Sequence, residues 1–325
     1  MKYKNTLSLL IKIGIVLFSL FFLYSELVIK KEVNQLNFDF LLESFINNSL
    51  LFLAVFLLMF INWLIESIKW RYMISKIEKI DLIISLKAVF AGITVSLFTP
   101  NRVGEYGGRV FYLQKSDRIK GVLITFIGSM SQLIITIVFG SLAFLILMPE
   151  IIKEESDFFS NSSLIDSCFP IIIIANILLL YIFYNLSLFL KIFKRFSFYE
   201  RYDEYFKVFL IFSKKEMTNI LFLSLSRYIV FSLQFLLLLY CFDVSLIFYK
   251  SLFLIMLSFL IVSIIPTVAI AEIGVRGSVA ILLFSYFAVN PISVFSATIS
   301  LWLINLVVPS IIGLFFVSSL KFFRK

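Results

Sequence analysis

Pro100-Asn101-Arg102-Val103-Gly104-Glu105-Tyr106-Gly107-Gly108-Arg109 interrupts a long apolar run, and a related stretch does so again in the second half of the chain. The second copy reads Pro266-Thr267-Val268-Ala269-Ile270-Ala271-Glu272-Ile273-Gly274-Val275-Arg276-Gly277. Each copy holds a helix-breaking Pro and then Glu-x-Gly-x-Arg, with Leu, Ile, Phe and Val on both sides. Matching Pro/Gly interruptions in two halves of an apolar chain are the sequence mark of a substrate site between membrane repeats. Charges at that depth are costly and are rarely kept without a role.

Working outward, 61% of the 325 residues are hydrophobic and only 15% are charged. No water-soluble fold of this size hides so much apolar sequence. Several stretches reach the roughly 20 apolar residues needed to cross a bilayer. The expected fold class is therefore an all-α polytopic membrane protein. The net charge of +9 lies mostly in short loops, where Lys and Arg set orientation. It does not indicate nucleic-acid binding. The chain has no histidine, which excludes His-based acid–base catalysis and His metal sites. Cys168 and Cys241 form no metal or redox motif. One distant pair reads as free thiols, with a disulfide as the alternative. No metal and no cofactor is expected.

The positive-inside rule gives the topology. Lys2 and Lys4 place the N-terminus in the cytoplasm, and residues 7–23 form a retained first span without a cleavage site. A second span, 49–68, returns to the basic Lys69, Arg71, Lys76 and Lys79, with Trp63 and Trp70 suited to the interface belt. Residues 82–98 are apolar enough to cross, but Arg102, Arg109, Lys115, Arg118 and Lys120 follow them. A re-entrant hairpin with arms 82–97 and 105–113 keeps that cluster inside. Further spans fall at 122–148, 171–190, 220–240 and 294–319. A second hairpin, with arms 252–265 and 277–287, enters from outside. The stretch 191–215 mixes Phe and Tyr with charges, as an amphipathic surface helix or a solvated connector.

This plan has about six full spans, two oppositely oriented hairpins and both termini cytoplasmic, in the cell (cytoplasmic or inner) membrane. It treats residues 1–325 as one transmembrane domain, with a first repeat at about 49–148 and an inverted second repeat at about 217–320. Six of the eleven glycines lie in the hairpins, where the backbone must bend or approach closely.

Glu105 and Arg109 are four apart and share a helix face, as do Glu272 and Arg276. An Arg beside free backbone N–H groups after a break can bind a phosphate. Alternatively, each pair only neutralises itself and locks the broken helices. The expected substrate contacts are Arg102, Glu105, Arg109, Glu272 and Arg276, with Arg109 and Arg276 gripping a lipid phosphate in turn. Arg227 and Glu66 are secondary candidates. A snorkelling Arg227 and an interfacial Glu66–Lys69 pair are the plainer readings.

The pattern Pro100-x-Arg102-x-Gly104-Glu105-x-x-x-Arg109, the later Glu272-x-Gly274-x-Arg276 and Lys69-Trp70-Arg71 resemble the lysylphosphatidylglycerol synthase transmembrane, flippase-like family over essentially the whole chain. That resemblance implies movement of a lipid with an anionic head group between leaflets. The family's separate soluble domain makes an aminoacylated lipid from aminoacyl-tRNA, and these 325 residues leave no room for it. The resemblance thus implies translocation rather than aminoacyl transfer. Three positions at two places depart from the family pattern. Ser131-Gln132 stands where many members have Glu-Arg, and Trp302 stands where they have Arg. A transferase that modifies a lipid or uses a polyprenyl-phosphate sugar donor is the alternative, with Asp39, Glu43, Glu154, Glu155 and Asp157 as its acids. A non-catalytic partner of a lipid-biosynthetic enzyme is a third reading.

Overall fold

The computed structural model describes residues 38–97, 99–155, 162–188, 203–266 and 269–317. The expected first span at 7–23 lies outside these residues, as does 189–202 of the aromatic-rich stretch. Among the described residues the chain forms helices and no strand. They are α1 (Phe38–Asn47), α2 (Ser49–Ile74), α3 (Leu82–Ser96), α4 (Gly104–Val110), α5 (Arg118–Glu155), α6 (Ser162–Tyr184), α7 (Lys214–Cys241), α8 (Phe248–Ile264), α9 (Ala269–Ser285), α10 (Pro291–Trp302) and α11 (Val308–Val317).

Four stretches among the described residues are long and apolar enough to cross a membrane: Ser49–Ile74, Arg118–Glu150, Lys214–Cys241 and Pro291–Val317. Leu82–Ser96, Cys168–Tyr184 and Phe248–Ile264 are shorter apolar helices. The surface is apolar: Phe56, Phe60, Ile174, Phe222 and Phe315 all point outward, while Glu66, Lys69, Arg109 and Glu272 are buried. That inside-out distribution suits a hydrocarbon solvent, in which ionised side chains face the protein interior.

Local chemistry sets the helix ends. The Asp81 carboxylate accepts from Ile84 N–H at 2.7 Å and starts α3. Ser213 and Glu216 form a reciprocal capping box at the start of α7. Asn290 caps α10, with Pro291 in its first turn. Between α3 and α4 the chain makes a short 3-10 turn, Pro100–Arg102, in which Asn101 and Arg102 have φ of 52° and 57°. Left-handed backbone costs a non-glycine residue roughly 1–2 kcal/mol. Two such residues in succession reverse the chain and make a hairpin of α3 and α4. Glycine lets its arms touch: a Cβ on Gly108 would lie 2.6 Å from the Gly92 Cα. Pro266 ends α8 in the second motif, and α9 packs back against α8.

The packing is reciprocal. α2 and α7 form the central pair, α3 of the first hairpin packs on α11, and α8 of the second packs on α5. Each hairpin is thus held by a helix from the other half of the chain. Gly313 on α11 faces the Phe90 carbonyl so closely that a Cβ would lie 2.2 Å from it. Thr94 Oγ1 then donates to the Ser310 carbonyl at 2.8 Å.

One expectation changes. Trp63 and Trp70 are both buried inside the protein and not at an interface: Trp70 Nε1 donates to Thr125 Oγ1 at 2.9 Å, and the Trp63 ring lies under the Arg227 guanidinium. The last crossing is not one regular helix, since residues Leu303–Val307 form a π-helical turn between α10 and α11. Cys168 is exposed, Cys241 is buried, and both are free thiols, as expected from the sequence.

Candidate functional site

The two motifs meet. Arg102 at the tip of the first hairpin donates to both oxygens of Glu272, at 2.9 and 2.8 Å, across 170 positions of sequence. Glu272 also accepts from Arg276 Nε at 2.8 Å and Nη2 at 2.5 Å, the expected one-turn pair within α9. One carboxylate is thereby shared between two guanidinium groups.

A second cluster surrounds Glu66 on α2. Its Oε1 accepts from Arg109 Nη1 at 2.7 Å, while its Oε2 faces Lys69 at 2.9 Å and Arg227 at 3.0 Å. Arg109 also pairs with Glu105, one turn before it on α4. Lys69 Nζ donates further to the Gly128 carbonyl at 3.4 Å and to Ser224 Oγ at 3.3 Å. The Arg227 guanidinium donates from Nε to Asn62 Oδ1 at 3.0 Å and lies over the Trp63 ring at 4.7 Å. Asn62 Nδ2 donates in turn to Asn305 Oδ1 at 3.2 Å. Helices α2, α4 and α7 and the π-turn each supply part of this network.

A cavity of about 550 Å³ lies between the clusters, lined by Glu66, Lys69, Arg102, Glu105, Arg227, Glu272 and Arg276. Its size falls in the usual range for ligand sites, roughly 300–1,000 Å³. The lining also holds apolar side chains: Leu133 from α5, Phe231 from α7 and Phe259 and Ile264 from α8. Leu133 and Ile264 are also exposed on the outer, apolar surface. One space is therefore bordered by buried charges and by exposed apolar side chains.

The sequence-derived candidates fall into two groups. Arg102, Glu105, Glu272 and Arg276 line the cavity, with the Arg102 and Arg276 side chains 36% and 20% exposed. Arg109 does not line it; its side chain is 2% exposed and lies behind Glu66 and Glu105. Arg227 is no snorkelling residue: Glu66 and Trp63 hold it against the cavity, where its side chain keeps 21% exposure. Glu66 pairs with Lys69 as expected, but as a buried hub and not an interfacial pair. Asn62 and Asn305 went unnoticed as candidates. Asn62 sits one turn before Glu66 on the same helix, a signal available in sequence. Asn305 reaches the network only through a π-turn, which no periodicity announces. Gln132 and Trp302 both line the cavity.

Fold and cavity together define a helical membrane protein with a charged internal cavity between two broken-helix hairpins. The family model of the lysylphosphatidylglycerol synthase TM region matches residues 9–313, and the chain belongs to that family. No curated protein and no solved structure matches it significantly.

Proposed function

We propose that the protein moves a phosphate-containing lipid between the leaflets of the cell membrane, by a cavity that opens first to one side and then to the other. The observation that carries this reading is the cavity itself. Arg102, Arg227 and Arg276 present partly exposed guanidinium groups to it, and the apolar side chains Leu133, Phe231, Phe259 and Ile264 line the same space. A phosphate dragged through hydrocarbon without partners faces a desolvation cost of many kcal/mol. Fixed guanidinium forks replace its water with charge-assisted hydrogen bonds. The tails remain in the bilayer while the head group crosses.

Reciprocal packing supports the inverted-repeat plan, in which α2–α5 and α7–α11 are equivalent halves of opposite orientation. In that plan the hairpins α3–α4 and α8–α9 are re-entrant, and both termini are cytoplasmic. Rocking one hairpin against the other exchanges the Arg102–Glu272 contact and turns the cavity from face to face. Glu105 and Glu272 hold the arginines when no ligand is bound.

The test is reconstitution in vesicles with fluorescent phosphatidic acid and, in parallel, fluorescent phosphatidylglycerol, whose outer-leaflet copies are quenched by a membrane-impermeant reagent. The full chain should bring the inner copies into reach of the quencher without changing their chemistry. Arg276→Gln and Arg227→Gln should each slow exchange about tenfold or more, the worth of one charge-assisted hydrogen bond. Arg276→Lys should also be slow, because a point charge does not reproduce the fork. If the wild type exchanges neither lipid faster than empty vesicles do, or if rates are unchanged in both Gln variants, the reading fails.

A further inference from the structure

From the charge balance of the cavity we infer that its ligand carries a doubly charged phosphate group, a terminal monoester or a diphosphate, and not the singly charged diester of an ordinary phospholipid. The inference rests on the phosphate-lipid reading above. Its grounds are which charges cancel. Buried Lys69 and Arg109 neutralise Glu66 and Glu105 through direct contacts. Glu272 neutralises one of the two guanidinium groups that share it, Arg102 and Arg276. Arg227 makes its ionic contact with Glu66, whose charge Lys69 and Arg109 already meet. Five cations against three carboxylates leave an excess of two positive charges.

Those two uncancelled charges belong to the partly exposed side chains, Arg227 on one cluster and the Arg102/Arg276 pair on the other. Both face the same cavity. Uncompensated charge at membrane depth is unfavourable, and matching counter-charge on the ligand removes the penalty. A diester leaves one guanidinium unmatched, and a zwitterionic head group brings its own cation to a site that already has an excess. A dianion matches both.

The full chain in phosphatidylcholine nanodiscs is titrated with dihexanoyl phosphatidic acid, dihexanoyl phosphatidylglycerol and inorganic phosphate, at pH 8 and pH 5. At pH 8 the phosphatidic acid should bind about tenfold or more tighter than the phosphatidylglycerol of identical tails, the effect of one further ionic hydrogen bond. A phosphomonoester loses its second charge near pH 6. The preference should therefore shrink at pH 5, with phosphatidylglycerol affinity nearly unchanged. Arg227→Gln should narrow the preference and Arg227→Lys should keep it. The wild-type pH comparison needs no variant, so a misfolded Arg227→Gln leaves the test intact. Equal affinity for the two lipids at pH 8 overturns the inference while the phosphate-lipid reading stands. Inorganic phosphate binding as tightly as phosphatidic acid supports the dianion site and overturns lipid translocation. Failure of all three probes to bind overturns both.

Discussion

Glu66 accepts from Arg109 through one oxygen and from Lys69 and Arg227 through the other, and its side chain is only 5% exposed. Removing one partner of a buried ionic contact leaves the others uncompensated and costs roughly 3–5 kcal/mol. Glu66→Gln keeps the shape and removes the charge, so Lys69, Arg109 and Arg227 would share a single remaining carboxylate, Glu105. Thermal unfolding in detergent should show a loss of that size. Glu105→Gln should cost much less, because Glu105 is 25% exposed and water reaches it. Equal melting temperatures for wild type and Glu66→Gln would mean that Glu66 is not the hub its contacts describe. The pair Glu105–Arg109 was readable from spacing alone. Glu66 and Arg227 meet across 161 positions, and no local signal encodes that distance.

The first hairpin has a base as well as a tip. Glu78, between α2 and α3, accepts from the backbone N–H groups of Gln114, Lys115 and Ser116 at 3.0, 3.0 and 2.8 Å. Ser116 Oγ adds a bond to the Ile77 carbonyl at 2.9 Å. Partial burial by itself would raise the Glu78 carboxyl, but the three N–H donors outweigh it and hold the group below the usual carboxylate range. A lowered folded-state value means stability that is present above the ordinary carboxylate titration, near pH 4.3, and lost as pH falls through the lower folded value. The protection of amides 114–116, measured against the intrinsic exchange rate at each pH, should therefore be high at neutral pH and fall as pH drops below the ordinary carboxylate range. Glu78→Gln should show low protection at neutral pH and little further change on acidification. Unchanged protection in Glu78→Gln would remove the clamp from the account. Arms of this hairpin were expected at 82–97 and 105–113, and the helices occupy Leu82–Ser96 and Gly104–Val110. Pro and Gly announce such a break well. They do not announce two consecutive left-handed residues, Asn101 and Arg102, since non-glycine side chains reach that region only under tertiary constraint.

Across the whole molecule, each hairpin rests on a helix of the opposite half, so a change far from the cavity reaches the site through packing. Gly313 on α11 is the sharpest case, because a side chain there would strike the Phe90 backbone of α3. Gly313→Leu should lower stability by about 1–3 kcal/mol through overpacking, and lipid exchange should fall with it although Gly313 does not line the cavity. Leu314→Ala, at the neighbouring lipid-exposed position, should change stability by less than about 0.5 kcal/mol. Matched unfolding curves for the two variants would refute the cross-packing as a source of rigidity.

The sequence by itself determined the membrane class, the apolar helices, the places where helices break and the one-turn Glu–Arg pairs. These follow from composition, from the length of bilayer-crossing runs and from the fixed periodicity of a helix, all of which are local properties. Only the tertiary structure decided which charges meet. It brought Arg102 to Glu272 and gathered Arg109, Lys69 and Arg227 around Glu66. It also left Arg102, Arg227 and Arg276 facing a cavity while sealing Arg109 behind it. Ion-pair choice depends on how helices from the two halves pack, and that packing is set by shape, such as the close approach at Gly92–Gly108 and at Gly313, and not by any pattern along the chain.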